Sequence, residues 1–162
     1  MTARLQDATA PVKGGQDSPR RVLFVCTGNT CRSPMAAQIL CDRAKKDSAQ
    51  ARLTASSAGL LAQPGAPMSD NAEAALRVLG IEPSPHAART VTEEMVRDAD
   101  LVVGLTSAHA MQLMLRFPDA ASRISAFPMD VCDPFGGDEQ EYVCCAQQIA
   151  MGIELAFFGE DV

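Results

Sequence analysis

Two cysteines five residues apart, Cys26 and Cys31, stand in the stretch "VLFVCTGNTCRSPMA", with Arg32 directly after the second. Residues of these types could form a metal site, a redox pair, a chance cluster, or a nucleophile with its anion clamp. Zinc reads poorly. Its structural sites take four ligands, and only His86 and His109 could join the six cysteines, so the missing ligands would have to come from distant positions. The nucleophile reading is chemically complete. The thiolate is the reactive form of cysteine, and positive surroundings favour it. Arg32 can fork two N–H donors onto one oxyanion, which a lysine does less well. A loop that ends on a helix N-terminus adds backbone N–H groups and the positive end of the helix dipole. A phosphoryl group cradled above Cys26 is placed for in-line attack and a phosphocysteine intermediate. Positioning and charge stabilisation would carry the catalysis, with no metal and no other cofactor. The leaving atom needs a proton. Asp133, in "DPFGG", could supply it and then act as base on water. Asp133-Pro134 is equally at home as a plain turn initiator.

The elements around these residues give the loop its meaning. Residues 21–25, "RVLFV", read as a buried strand that stops at Cys26. "TGNT" is turn chemistry, with Gly28 and Asn29 shaping the loop. Ser33 is expected to cap a helix and Pro34 to occupy its first position, with Ala36, Ile39, Leu40 and Ala44 at helical spacing. Further strands are expected at 52–59, 100–106 and 123–127. Helices are expected at 69–80, closing on Gly80, and at 92–99 behind a capping Thr92. Two more are expected at 107–117, with its methionines in the core, and at about 140–157. That last helix places Tyr142, Cys145, Ala146, Ile149, Ile153, Ala156 and Phe157 on one face. Strands alternating with helices predict an α/β three-layer sandwich, a central four-stranded parallel sheet flanked by helices. Ligands of such sheets sit beyond the carboxyl ends of the strands, where the loop after the first strand lies.

The 162 residues suffice for one domain with a real core. At 47% hydrophobic and 21% charged, the composition is that of an ordinary soluble chain. Residues 1–20 lack the apolar core of a signal peptide and read as a flexible leader, leaving 21–162 as a single domain. No long apolar run suggests a membrane span. The net charge of −6 and the lack of a basic stripe argue against nucleic acid; "RAKK" at 43–46 reads as a solvated helix face. Six cysteines without a secretory signal fit a reducing, cytoplasmic setting. Cys41, Cys132, Cys144 and Cys145 are read as small buried or neutral positions.

The stretches "VLFVCTGNTCRSPMA", "SSAG", "PHAAR", "ADLVVGLTSAH" and "DPFGG" occur in an order that resembles the low-molecular-weight protein tyrosine phosphatase family over nearly all of residues 21–157. The resemblance implies phosphorylated proteins as substrates, Cys26 as nucleophile, Arg32 as phosphate clamp and Asp133 as general acid and base. Thr27, Gly28, Asn29, Thr30, Cys31 and Ser33 would complete the phosphate-binding loop. Ser33 would hydrogen-bond the sulfur, and Asn29 would hold the loop through Ser57 and His86. His109 has no counterpart in this comparison and is read as a helix residue near the surface. Phe135 would line the substrate entrance. Thr30, together with "DPFGG", resembles the bacterial protein-arginine-phosphatase branch, whose substrate is phosphoarginine; tyrosine-directed members usually carry an aliphatic residue at that position. Cys31 would form a protective disulfide with Cys26 under oxidation. A thiol-linked arsenate reductase shares such a loop, but its relay needs cysteines some 70 residues further on, and none lies between Cys41 and Cys132. A non-catalytic phosphoprotein-binding module would be expected to lose Cys26, Arg32 or Asp133, and all three are present.

Overall fold

The computed structural model describes residues 20–159. The expected leader lies outside the described residues except for Arg20, which belongs to the sheet. Strand β1 runs Arg20–Cys26 and is followed by helix α1, Arg32–Lys45. Then come β2 (Leu53–Gly59), α2 (Asp70–Val78), α3 (Glu93–Asp98), β3 (Leu101–Gly104), α4 (Ser107–Arg116), β4 (Ile124–Ala126) and α5 (Glu139–Ile153). All strand pairs are parallel, in the order β2-β1-β3-β4. The expected four-stranded parallel sandwich is the fold observed.

The central strand shows why this sequence makes this sheet. Val22 and Phe24 enter one core, with α1, α2 and α5; Leu23 and Val25 enter the other, with α3 and α4. A strand covered on both faces must be apolar throughout, and "VLFV" is. Phe24 meets Phe127 and Phe157 edge-on, with ring centroids 6.4 Å apart in both pairs.

Three caps follow the rules of helix termini: Ser69, Thr92 and Thr106 each accept a backbone N–H from the first turn of α2, α3 and α4. Asp138 does the same for α5. Helix α1 differs. It begins at Arg32, its N-cap is Cys31, and no side chain caps it, so Ser33 does not play the expected capping part. The last helix ends earlier than expected, at Ile153, and a π-helical turn, Glu154–Phe158, continues it. All seven residues of its expected inner face are buried.

Surface assignments need correcting. Met111 and Met114 are exposed, because α4 turns His109, Ala110 and Leu113 inward instead. Among the four remaining cysteines only Cys145 is buried, and burial pushes its thiol up to about 12. Cys41 is half-buried; Cys132 and Cys144 are exposed. Lys45 and Lys46 are solvated as expected, but Arg43 pairs with Glu154 and lies over the Phe158 ring.

One glycine sets the depth at which α4 packs. A β-carbon on Gly104 would stand 2.5 Å from the Ala110 nitrogen and 3.0 Å from the His109 carbonyl carbon. Backbone there cannot yield as a flexible side chain would. Gly104→Ala is expected to destabilise the protein by about 1–3 kcal/mol, the usual cost of overpacking. A urea midpoint unchanged by the substitution would refute this close approach.

Candidate active site

The loop from Cys26 to Arg32 lines a cleft of about 220 Å³ together with Asp133 and Phe135. A larger cleft of about 410 Å³, between α3 and the segment after α4, has no cysteine or histidine in its lining. The cleft that gathers Cys26, Arg32 and Asp133 lies at the carboxyl end of β1, where sheets of this topology bind ligands.

Asn29 is the keystone of the loop. It is fully buried and has φ of 59°, the one non-glycine residue with positive φ among the described residues. Asparagine tolerates this left-handed conformation better than most residues. Its amide nitrogen donates to Ser33 Oγ (2.8 Å) and Ser57 Oγ (2.9 Å), and its amide oxygen accepts the Arg89 N–H (3.1 Å). The Asn29 backbone carbonyl lies 2.6 Å from His86 Nε2; a carbonyl only accepts, so His86 donates there. Ser57 and His86 are thus the side chains around Asn29. Sequence reasoning missed Arg89, which also donates from Nε to the Ser57 carbonyl at 3.0 Å.

Ser33 stands between Asn29 and the sulfur. Its oxygen receives the Asn29 amide, which leaves its own proton for Cys26 Sγ at 2.9 Å or the Ala58 carbonyl at 3.3 Å. A donor so placed stabilises negative charge on sulfur. Gly59, at the end of β2, permits the crowding: a β-carbon on it would lie 2.5 Å from the Thr27 carbonyl oxygen.

Arg32 is 6% exposed. Its Nη1 donates to the Val131 carbonyl (3.0 Å), and its Nη2 lies 3.6 Å from Asp133 Oδ2. Asp133 is half-exposed, and its Oδ1 accepts the Phe135 N–H (3.1 Å), which gives it the turn geometry as well as the cleft position. Phe135 is 81% exposed, at the mouth. Cys31 belongs to the lining of the same cleft, and its thiol lies 3.5 Å from Ser69 Oγ and 3.6 Å from Tyr142 OH. Burial and that thiol push the Tyr142 phenol up to about 12.

His109 is not near the surface. It is 5% exposed, and its Nε2 lies 3.0 Å from Thr27 Oγ1. Burial, and then the Arg32 guanidinium, push its imidazole below the ordinary histidine range, so the ring is neutral at neutral pH. The inner-face spacing of positions 109, 110 and 113 was the available signal for its burial. Next to it, the Ser107 N–H and hydroxyl both donate to Asp130 Oδ1 (2.8 and 2.9 Å), which holds that carboxyl below its usual range and ties α4 to the segment carrying Asp133.

Removing the Asn29 amide would strand buried partners. Asn29→Ala is expected to cost about 1–3 kcal/mol of stability from unsatisfied polar groups alone. Chemical denaturation with an unchanged m-value would measure it; a loss below about 0.5 kcal/mol would show that the loop stands without this network.

Comparison with known proteins agrees with this geometry. Residues 21–156 match the family described as low molecular weight phosphotyrosine protein phosphatase. The chain is 37% identical over 131 residues to a protein-arginine-phosphatase of Geobacillus stearothermophilus, covering 76% of this chain and 84% of that one. It is also 37% identical over 139 residues to low molecular weight protein-tyrosine phosphatase A of Mycobacterium tuberculosis, covering 76% of this chain and 81% of that one. Among solved structures, the YwlE arginine phosphatase from Geobacillus stearothermophilus superposes with a TM-score of 0.77 at 35% identity, over 85% of this chain and 91% of that one. With the match running from β1 through α5, and so across both walls of the cleft, the chain belongs to the low molecular weight phosphotyrosine protein phosphatase family and is a protein phosphatase.

Proposed function

We propose that this phosphatase hydrolyses phosphorylated protein side chains through a phosphocysteine on Cys26, and that it favours phosphoarginine over phosphotyrosine. The observation that carries the reading is the meeting of Cys26, Arg32 and Asp133 in one cleft. The substrate phosphoryl group lies in the loop, with two oxygens on the Arg32 fork and others toward the N-terminus of α1, where no side chain takes the first amides. The Cys26 thiolate attacks phosphorus in line. As the bond to the leaving nitrogen or oxygen breaks, Asp133 gives that atom a proton. Asp133, now a carboxylate, then takes a proton from water. The water oxygen displaces sulfur, releasing phosphate and restoring the thiolate, which Ser33 receives with a hydrogen bond. A thiol mechanism of this kind suits a reducing, cytoplasmic setting.

Relatives named for arginine and for tyrosine are equally identical to this chain, so identity does not separate the substrates. Thr30 does. It lines the cleft, and its carbonyl is fixed by the Ser69 N–H at 3.1 Å. A hydroxyl in that wall can accept from a guanidinium N–H, whereas a phenol gains more from an aliphatic residue. Phe135 offers a ring face at the mouth, on which a guanidinium stacks. Cys31 serves as oxidative guard: peroxide oxidises the thiols of Cys26 and Cys31 to a disulfide and is itself reduced to water.

Two experiments test this reading. Wild type is expected to hydrolyse para-nitrophenyl phosphate, and Cys26→Ser to abolish it. Thr30→Ile is expected to move the ratio of kcat/KM for phosphoarginine over phosphotyrosine peptides toward phosphotyrosine by about tenfold, the scale of one lost polar contact. A fully active Cys26→Ser variant would overturn the mechanism, and an unmoved ratio would overturn the substrate assignment. Separately, mass spectrometry after peroxide is expected to find Cys26 linked to Cys31; sulfonic acid at Cys26 with no linkage would remove the guard.

A further inference from the structure

We infer that His109 is a positioning residue for the phosphatase reaction: it fixes the rotamer of Thr27 so that the Thr27 methyl forms an apolar wall for the stem of the phosphorylated side chain. The inference rests on the function proposed above.

Both ring nitrogens of His109 have a hydroxyl partner. Thr106 Oγ1 accepts the His109 backbone N–H at 3.1 Å as the cap of α4, and it lies 2.9 Å from His109 Nδ1. A hydroxyl has one proton and two acceptor positions, so each threonine can either give a proton to the ring or take one from it. The imidazole is neutral, so one ring nitrogen donates and the other accepts; in either tautomer Nε2 is bonded to Thr27 Oγ1 at 3.0 Å. Every polar atom of the ring is satisfied by a threonine, one on its own helix and one on the catalytic loop.

Thr27 itself is exposed and lines the cleft. Its hydroxyl is turned to a buried ring, so the β-carbon and methyl are what the cleft meets. A free threonine would exchange among staggered rotamers. The bond to His109 selects one. Phe135, across the mouth, is the second apolar surface, and together they would flank several carbons of a side chain while the loop holds its phosphoryl end. The ring is brought into reach by Gly104, whose missing β-carbon lets the His109–Ala110 backbone sit against β3.

This role separates the stem from the phosphoryl group, and the test does the same. His109→Phe and Thr27→Val are each expected to raise KM for a phosphorylated peptide about fivefold, the scale of one neutral hydrogen bond, with kcat within twofold. Inhibition by inorganic phosphate, which has no stem, is expected to stay within twofold. The double variant is expected to be no worse than either single one. His109→Gln, which can still donate, is expected to retain more of the wild-type KM than His109→Phe. Nitrogen NMR is expected to show a neutral ring in wild type, and a shift of the Nε2 signal in Thr27→Val.

Additive losses, phosphate inhibition weakened as much as peptide binding, or an Nε2 signal indifferent to Thr27→Val would each overturn the inference. Should His109→Phe not fold, Thr27→Val, His109→Gln and the Nε2 signal decide the matter alone. A wild type that turns over no phosphorylated substrate would instead sink the proposed function, while the Nε2 signal would still report on the His109–Thr27 bond.

Discussion

Asn29 holds a left-handed backbone with its side chain shut away from solvent, and the shape of the catalytic loop follows from what that side chain bonds. A buried amide without partners would be expensive, so Ser33, Ser57 and Arg89 must all be in place before the loop can close. Each comes from a different part of the chain: the start of α1, the end of β2 and the segment before α3. The amide therefore does for this loop what a ladder of backbone bonds does for a strand. It also occupies an acceptor position of Ser33, and so links the loop's rigidity to the hydroxyl beside Cys26.

The two charged groups across the cleft are held to different standards. Arg32 is buried, and the Val131 carbonyl keeps its fork in place. Asp133 is half-exposed, and its contact with Arg32 is at 3.6 Å, in a geometry that contributes little stability. An anion clamp gains from being fixed beforehand, because no ordering is left to be done at the moment of reaction. A proton donor that serves first a leaving atom and then a water, as proposed for Asp133, gains from a looser tether. The burial of one and the exposure of the other suit the two proposed duties.

Much of this was legible in the sequence because it rests on local rules. "VLFV" reads as a buried strand and is one, and Ser69 and Thr92 cap where hydroxyls before helical stretches should. The errors arose where a distant partner overrode a local rule. Ser33 looks like a cap but is taken by Asn29 and Cys26, and α1 starts at Arg32 with no side-chain cap. His109 looks like a surface helix residue until β3 and the loop are brought against it. The methionines of α4 were placed inside by residue type, although the helical period puts Ala110 and Leu113 there. Arg89 gave no local signal, because its partners, Ser57 and Asn29, lie 32 and 60 residues away.

The strand order carries a consequence for the time at which the enzyme comes into being. β1 is made first, yet its two neighbours are β2 and β3, and Arg32 at the far side of the loop that follows it meets groups from beyond β4. Pairing of Val22 with Leu101 closes a long stretch of chain, and such distant contacts form late and slowly. A ribosome-bound fragment ending before Val131 carries Cys26 and Arg32 without Asp133 and without the carbonyl that steadies Arg32. Catalytic competence is thus a property of the finished chain, and the active site acts as a built-in certificate that folding has run to completion.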